Sequence, residues 1–290
     1  MEKESIEKRT KAQNAVFIVI FIVFIIYGLS LLFPIVWGLI SSLKNGAIEY
    51  FSEPLRLPQK WKWENYPKAM EMLSANNIGF TEMLINSLWF SFGGTLVGIS
   101  TLSLFAYTLS RFDFVGKNLI LAVSITMMMI PIYGALPSQY KMYHSILGIA
   151  GSPLILLTFT GIMGTNSLLI THAFYKNLPR ALGDAAKIDG AGEWVIFLKI
   201  YQPQAMGILL SFFLTDFIAH WNDYMTPMLY LQNMPTLSTG LYTYQTIVER
   251  SGNFPLYFAG SMLCIVPIII LYSLLSNKLM NNMSYSGIKG

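Results

Sequence analysis

The chain has 290 residues, 54% of them hydrophobic and only 12% charged, with a mean hydropathy of +0.51. That charge fraction is about half that of a soluble domain, and a single cysteine excludes a disulfide framework and any cysteine-built zinc or iron–sulfur site. A net charge of +4 spread between long apolar blocks reads as membrane flanks rather than a nucleic-acid surface, so the composition describes an all-α polytopic membrane protein.

A membrane-crossing helix needs about 20 mostly apolar residues. Six stretches qualify: 15–40, 86–109, 119–136, 154–175, 204–222 and 256–277. The first holds 19 Ile, Val, Leu or Phe residues; it inserts without help and reads as an uncleaved anchor, since it starts late for a secretory signal and no small-residue cleavage site follows it. With segment 1–14 in the cytoplasm, 12 of the 19 Lys and Arg residues lie on the cytoplasmic side, as the positive-inside bias requires. Five of the others fall in the first outer loop, which also carries five Glu residues and is expected to form a small folded extracellular element. Six spans, forming a transmembrane domain over 15–277, return residues 278–290 to the cytoplasm as a tail.

Inside the spans, Gly94-x-x-x-Gly98 marks either a close helix contact or ordinary membrane glycine. The run Met127-Met128-Met129-Ile130-Pro131 reads as packing filler before a proline kink. The segment between spans four and five, 176–203, predicts two short helices. Pro179 suits the first turn of one, with Asn177 as its cap, and Ala181, Leu182, Ala185, Ala186 and Ile188 form a shallow apolar surface. Asp189-Gly190 ends it, Gly190 being a natural left-handed stop. Trp194, Phe197, Leu198 and Tyr201 then share a face of the second helix, which Pro203 closes. On these residues alone, the segment is equally a docking element or an amphipathic helix lying on lipid headgroups.

Span five carries Asp216, His220 and Asp223 at i, i+4 and i+7. Its eight Ile, Leu and Phe residues contribute about −2.4 to −4.8 kcal/mol, against about +2.5 to +3.5 kcal/mol for a central Asp. Such a helix barely inserts alone, so Asp216 is expected to face a cavity or a partner. Two roles stay open: contact with a ligand held in such a cavity, together with His220, Trp221 and Asn222, or a bond to His220 or a neighbouring helix that only orients the bundle. His144, His172 and Cys264 read as structural, and no metal-binding cluster is expected.

The run Asp184-Ala185-Ala186, followed by Ile188-Asp189-Gly190-Ala191 and then Ile196, Ile200 and Pro203, resembles the "EAA" loop of binding-protein-dependent ABC importer permeases. That loop reads Glu-Ala-Ala-x-x-Asp-Gly-Ala before an apolar stretch ending Ile-x-Leu-Pro. Asp184 departs from the usual Glu, and Gln202 stands where Leu precedes the proline. His220-Trp221-Asn222-Asp223-Tyr224 with Pro227 is similar to the end of the fifth helix in the carbohydrate branch. Arg111-Phe112-Asp113-Phe114-Val115-Gly116-Lys117 resembles its Arg-aromatic turn, and Leu57-Pro58 with Trp63, Asn65 and Tyr66 its first outer loop. The tail Ser284 to Gly290 resembles its terminal Thr-x-Gly-x-x-Lys-Gly.

The resemblance implies the six-span type I ABC importer permease fold in a bacterial cytoplasmic membrane, with both termini cytoplasmic. It also implies a second homologous permease, an ATP-binding subunit dimer and an extracytoplasmic sugar-binding protein as partners, with membrane lipid around the spans and no nucleic acid. Asp184, Ala185, Ala186, Asp189, Gly190 and Ala191 would couple to the ATPase, and Ser286, Gly287 and Lys289 of the tail would touch it. The chain has no P-loop, so it is not expected to be an enzyme or to bind a cofactor; ATP and Mg belong to the partner. A competing reading is an ion-coupled secondary transporter with Asp216 and His220 as a relay, against which stand the lack of a second buried acid and of an inverted repeat. A membrane-embedded enzyme finds too few His and Cys residues to build on.

Overall fold

The computed structural model describes residues 11–130, 134–160 and 165–287, the side chains of residues 11, 12, 160 and 275–287 excepted. Pro131 and Lys289, singled out in the sequence, lie outside the described residues.

In chain order the helices are α1 (Lys11–Ser42), α2 (Gly46–Ser52), α3 (Asn65–Met72), α4 (Phe80–Arg111), α5 (Lys117–Met129) and α6 (Leu136–Lys141), the last running into a π turn, Met142–Ile146. A 3-10 segment, Pro153–Thr160, precedes α7 (Asn166–Asn177), α8 (Ala181–Ile188) and α9 (Glu193–Ile196). A π turn, Phe197–Tyr201, leads into α10 (Gln202–Asn222), followed by α11 (Met225–Tyr230), α12 (Leu237–Ser251) and α13 (Phe254–Gly287). Four helices among the described residues are long and apolar enough to cross a membrane: Gln13–Ser42, Phe80–Arg111, Glu193–Asn222 and Phe254–Leu274.

The third and fourth expected spans differ from the sequence reading. The third is realised as the 13-residue α5, with α6 a separate helix beginning at Leu136. The fourth is divided, because Thr165 caps α7 afresh by accepting the Leu168 N–H on its side chain, while Pro153–Thr160 winds as a 3-10 segment. The last helix continues to Gly287, through most of the residues expected to form the tail.

The chain forms two compact units. One comprises Met1–Ala69 with Ile247–Leu263. Its α1 exposes apolar side chains along most of its length, from Val16 to Val36, as a helix facing lipid does. At the end of α1 the loop expected to lie outside folds into a defined element. Asn65 donates from Nδ2 to the carbonyls of Ser42 and Lys44, at 2.7 and 2.9 Å, and Ser42 meets the Tyr66 hydroxyl at 2.9 Å. The buried Lys44 ammonium donates to the carbonyls of Glu53 and Pro54; burial lowers its pKa, opposed by the pull of Glu49 and Glu53. Trp37, Tyr50, Phe254 and Phe258 pack ring to ring beside it.

The other unit comprises Met70–Thr246 with Cys264–Gly290, and α4 is its central helix, packed against α7, α10 and the 3-10 segment. The buried stripe of α4 is rich in small residues: Ser87, Ser91, Gly94, Thr95, Ser103, Ala106 and Ser110. Small residues let backbones approach closely, which is the main attraction between helices when lipid is the solvent. A Cβ on Gly93 would lie 2.7 Å from Leu156, and one on Gly94 would lie 2.9 Å from Phe159 and 3.1 Å from His220. The Gly94/Gly98 pair therefore serves close approach of the 3-10 segment and α10.

Candidate functional site

Segment 176–203 is anchored from α4. The Arg111 guanidinium donates from one nitrogen to the carbonyls of Tyr175 and Leu178, at 2.6 and 2.8 Å, and lies 4.3 Å from the centroid of the Tyr201 ring. The cation thus occupies the C-terminal end of α7, where the remaining lone pairs of the last carbonyls and the helix dipole favour positive charge. Asn177 is the last residue of α7 rather than a cap, and α8 starts beyond Pro179, its first bonds running from the amides of Gly183 and Asp184 to the Arg180 carbonyl. Gly183 sits so close to Tyr201 that an added Cβ would be 2.9 Å from the hydroxyl. About two turns along α4 from Arg111, Ser103, Tyr175 and Gln202 form a buried triangle joining α4, α7 and α10, at 2.6 to 3.2 Å. Gln202, one of the two departures from the importer pattern, supplies its shared acceptor.

Gly190 takes φ +81°, the left-handed turn expected of it. Lys187 and Glu193 bridge the turn at 2.5 Å; the hydrogen bond and charge of Glu193 raise the Lys187 pKa. Of the expected coupling residues, Asp184, Ala185, Asp189 and Gly190 are exposed, whereas Ala186 and Ala191 pack against the core of Tyr107, Phe197 and Tyr201. Ile188 is 87% exposed and Trp194 65%.

The second expected helix differs in two ways. Pro203 does not close it; the chain continues through the π turn, in which Gln202 N–H bonds to the Phe197 carbonyl, directly into α10. The predicted aromatic face splits because Phe197 and Tyr201 pack against the Tyr107 ring of α4. Phe197 and Tyr201 are buried, while Trp194 and Leu198 point outward. The exposed Leu182, Ile188, Trp194, Val195 and Leu198 make up the apolar surface this segment offers.

A second feature lies between α4, α10 and the 3-10 segment. It is a cavity of about 260 Å³ with Gly98, Leu102 and Phe159 on its apolar side. Thr158, Thr165, Ser167, Asp216 and His220 supply its polar groups. His220 directs Nδ1 to the Asp216 main-chain carbonyl at 2.7 Å, not to the carboxylate, and packs edge-on against Phe159 at 4.2 Å. Trp221 and Asn222 are not among the cavity residues. Trp221 is buried, donating to the Cys264 carbonyl at 3.1 Å and stacking on Phe217, and Asn222 bonds back to the Ile218 carbonyl. Asp223 receives the amides of Met225 and Thr226, which turns the chain into α11.

Comparison with known sequences decides the family: the profile described as "Binding-protein-dependent transport system inner membrane component" matches residues 94–284, roughly two thirds of the chain. The chain belongs to this family. The match spans α4 almost from Gly94, the whole anchored segment, the cavity and the start of the tail. The diacetylchitobiose uptake system permease protein of Streptomyces coelicolor is 25% identical over 262 residues, covering 90% of this chain and 85% of its own length. The arabinooligosaccharides transport system permease protein of Bacillus subtilis is 26% identical, covering 92% and 94%. A crystal structure of a bacterial ABC transporter involved in the import of the acidic polysaccharide alginate superposes with TM-score 0.72 at 19% identity, over 93% of this chain and 98% of that chain.

The fold is therefore that of an ABC importer permease, and the chain is a membrane-embedded transport subunit rather than an enzyme. Membership implies a partner permease, an ATPase on a separate chain and a substrate-binding protein. The ion-coupled alternative finds no support in the family match, and the Asp216 and His220 side chains are not hydrogen-bonded to each other as a relay would need. Sequence reasoning missed the Arg111 clamp and the Ser103–Tyr175–Gln202 triangle. A basic residue in the last turn of a helix was the available signal for the first, but the carbonyls it meets belong to another helix.

Proposed function

We propose that this chain is one of two permease subunits of an ATP-driven importer that carries sugars or oligosaccharides into the bacterial cytoplasm. The observation that carries the reading is the exposed surface of α8 and α9, held on the permease by the Arg111 clamp, in a chain whose relatives serve diacetylchitobiose and arabino-oligosaccharide systems. Asp184, Ala185, Asp189 and Gly190 lie against a groove on the ATPase, with Ala186 and Ala191 supporting them from behind. ATP and Mg bind that partner. Closure of its dimer draws the α8 surfaces together and switches the cavity between its two sides, a rigid-body change driven by differential contacts. Ser286, Gly287 and Lys289 add a second ATPase contact, and the cavity polar groups Asp216 and His220 lie on the sugar path.

The chain crosses the membrane six times in this reading, with α5 and the divided 3-10/α7 segment as the third and fourth crossings and both ends cytoplasmic. In a Cys264→Ala background, cysteines at Ser52 or Ser238 label from outside and cysteines at Ser5 or Ser284 do not; outside labelling at Ser284 overturns the topology. The decisive functional experiment is purification of the complex with measurement of ATP-dependent sugar uptake in vesicles. Gly190→Arg, which places bulk at a left-handed turn, should release or uncouple the ATPase while leaving the permease inserted. Full sugar-stimulated hydrolysis in that variant returns the segment to the lipid-headgroup reading.

A further inference from the structure

The cavity beside Asp216 is weighted toward hydrogen-bond acceptors: its one acidic group is the Asp216 carboxylate, and the hydroxyls of Thr165 and Ser167 are the lining groups able to donate. No described residue donates a hydrogen bond or an ion pair to the Asp216 carboxylate, although it sits half-buried on a membrane-spanning helix. His220 faces the Asp216 main-chain carbonyl through Nδ1. A carbonyl only accepts, so Nδ1 carries the proton, and in the neutral ring Nε2 is left as an acceptor. Thr158 gives its hydroxyl proton to the Ile155 carbonyl at 2.7 Å, which leaves its lone pairs. Asp216, His220 and Thr158 therefore all ask for donors. The cavity is near the lower end of ligand-pocket sizes, enough for one sugar ring, and Phe159 offers an apolar wall to the ring's C–H face.

We propose that this cavity selects sugar rings that present hydroxyl or ammonium donors and rejects rings that carry a carboxylate. The inference rests on the cavity being part of the sugar path. A neutral or amino sugar satisfies the three acceptors, and an ammonium also neutralises the carboxylate. A uronate brings two more acceptors and a like charge into a partly desolvated space, where repulsion is much stronger than in water. The acidic ligand of the structural neighbour is thus the wrong chemistry for this site, despite the shared fold.

The test uses the assembled complex of both permeases and the ATPase subunits, without the binding protein, so that only the membrane cavity selects. Equilibrium dialysis with radiolabelled glucose, glucosamine and glucuronate compares rings that differ at one group. Wild type should bind glucosamine most tightly, then glucose, with glucuronate weakest. Asp216→Asn should weaken glucosamine about ten- to a hundredfold, the value of one charge-assisted hydrogen bond, and narrow the gap to glucuronate. Glucuronate binding as tight as glucose in wild type, binding of none of the three, or an unchanged order in Asp216→Asn each overturns the proposal. The wild-type order decides even if the variant does not assemble. ATP-dependent uptake in vesicles with the binding protein, measured in parallel, separates the two readings. Uptake that persists while selectivity is absent sinks only the cavity proposal, and uptake that ignores ATP sinks the importer reading.

Discussion

Removing the Arg111 clamp should uncouple the permease without unfolding it. Arg111 makes two charged hydrogen bonds to main-chain carbonyls, of Tyr175 just before segment 176–203 and Leu178 within it, and one cation–π contact to Tyr201 near its other end. Charged hydrogen bonds contribute about 1.5 to 3 kcal/mol each, and the cation–π contact about 0.5 to 1 kcal/mol at a partly exposed site. The two bonds share one nitrogen and water can reach part of the site, so the terms do not add fully; about 2 to 4 kcal/mol is expected for Arg111→Ala. That loss raises the population of a detached α7–α8 junction by roughly 30- to 1,000-fold. Arg111→Lys keeps the charge but not the planar fork that bonds and stacks at once, so about half the loss is expected. Amide hydrogen exchange over residues 178–190, alongside sugar molecules imported per ATP hydrolysed, reads both links of the argument. Exchange should quicken and the import ratio should fall, in the order wild type, Lys, Ala. Unchanged exchange and an unchanged ratio in Arg111→Ala would refute the clamp.

Other positions give further outcomes. Gln202→Leu restores the residue usual in the importer pattern but removes the shared acceptor of the buried triangle; Ser103 and Tyr175, 2.7 Å apart, can then bond each other, so a loss of only about 1 to 2 kcal/mol is expected in denaturant or thermal unfolding of the complex. Gly94→Leu drives a side chain into Phe159 and His220, and sugar uptake should fall at least tenfold while ATPase subunits still copurify, because the coupling surface is untouched; uptake within twofold of wild type would contradict the packing. Asn65→Ala leaves the carbonyls of Ser42 and Lys44 without their donor. Limited proteolysis should then cut the 45–64 loop faster, matching a local loss of about 1 to 3 kcal/mol. Gly183→Val should push on the Tyr201 ring and reproduce the Arg111 phenotype, since the two act on the same stacked contact; normal coupling in that variant would separate them.

The amino-acid sequence determined the parts of this protein that depend on local composition and backbone freedom. An α1 apolar on every side needs no partner to be read as a span, because its insertion energy is a sum over its own residues. Gly190 could be assigned a left-handed turn because only the missing Cβ matters there. The motif at 184–191 announced the family, and Asp216 announced a cavity because a lone carboxylate cannot face lipid. Tertiary structure alone decided how the weaker segments resolve. A hydropathy window over 154–175 sees a span, but the glycines of α4 draw Pro153–Thr160 into close contact as a 3-10 segment, and Thr165 restarts the helix. The pattern of Trp194, Phe197, Leu198 and Tyr201 suggests one face, but Tyr107 of α4 takes Phe197 and Tyr201 into the core and leaves Trp194 and Leu198 on the surface. The clamp joins Arg111 to carbonyls 64 and 67 residues away, and the triangle joins Ser103 to a side chain 99 residues away. Periodicity and hydropathy sum over neighbours in the chain, whereas these bonds exist only where packing brings distant segments within about 3 Å of each other.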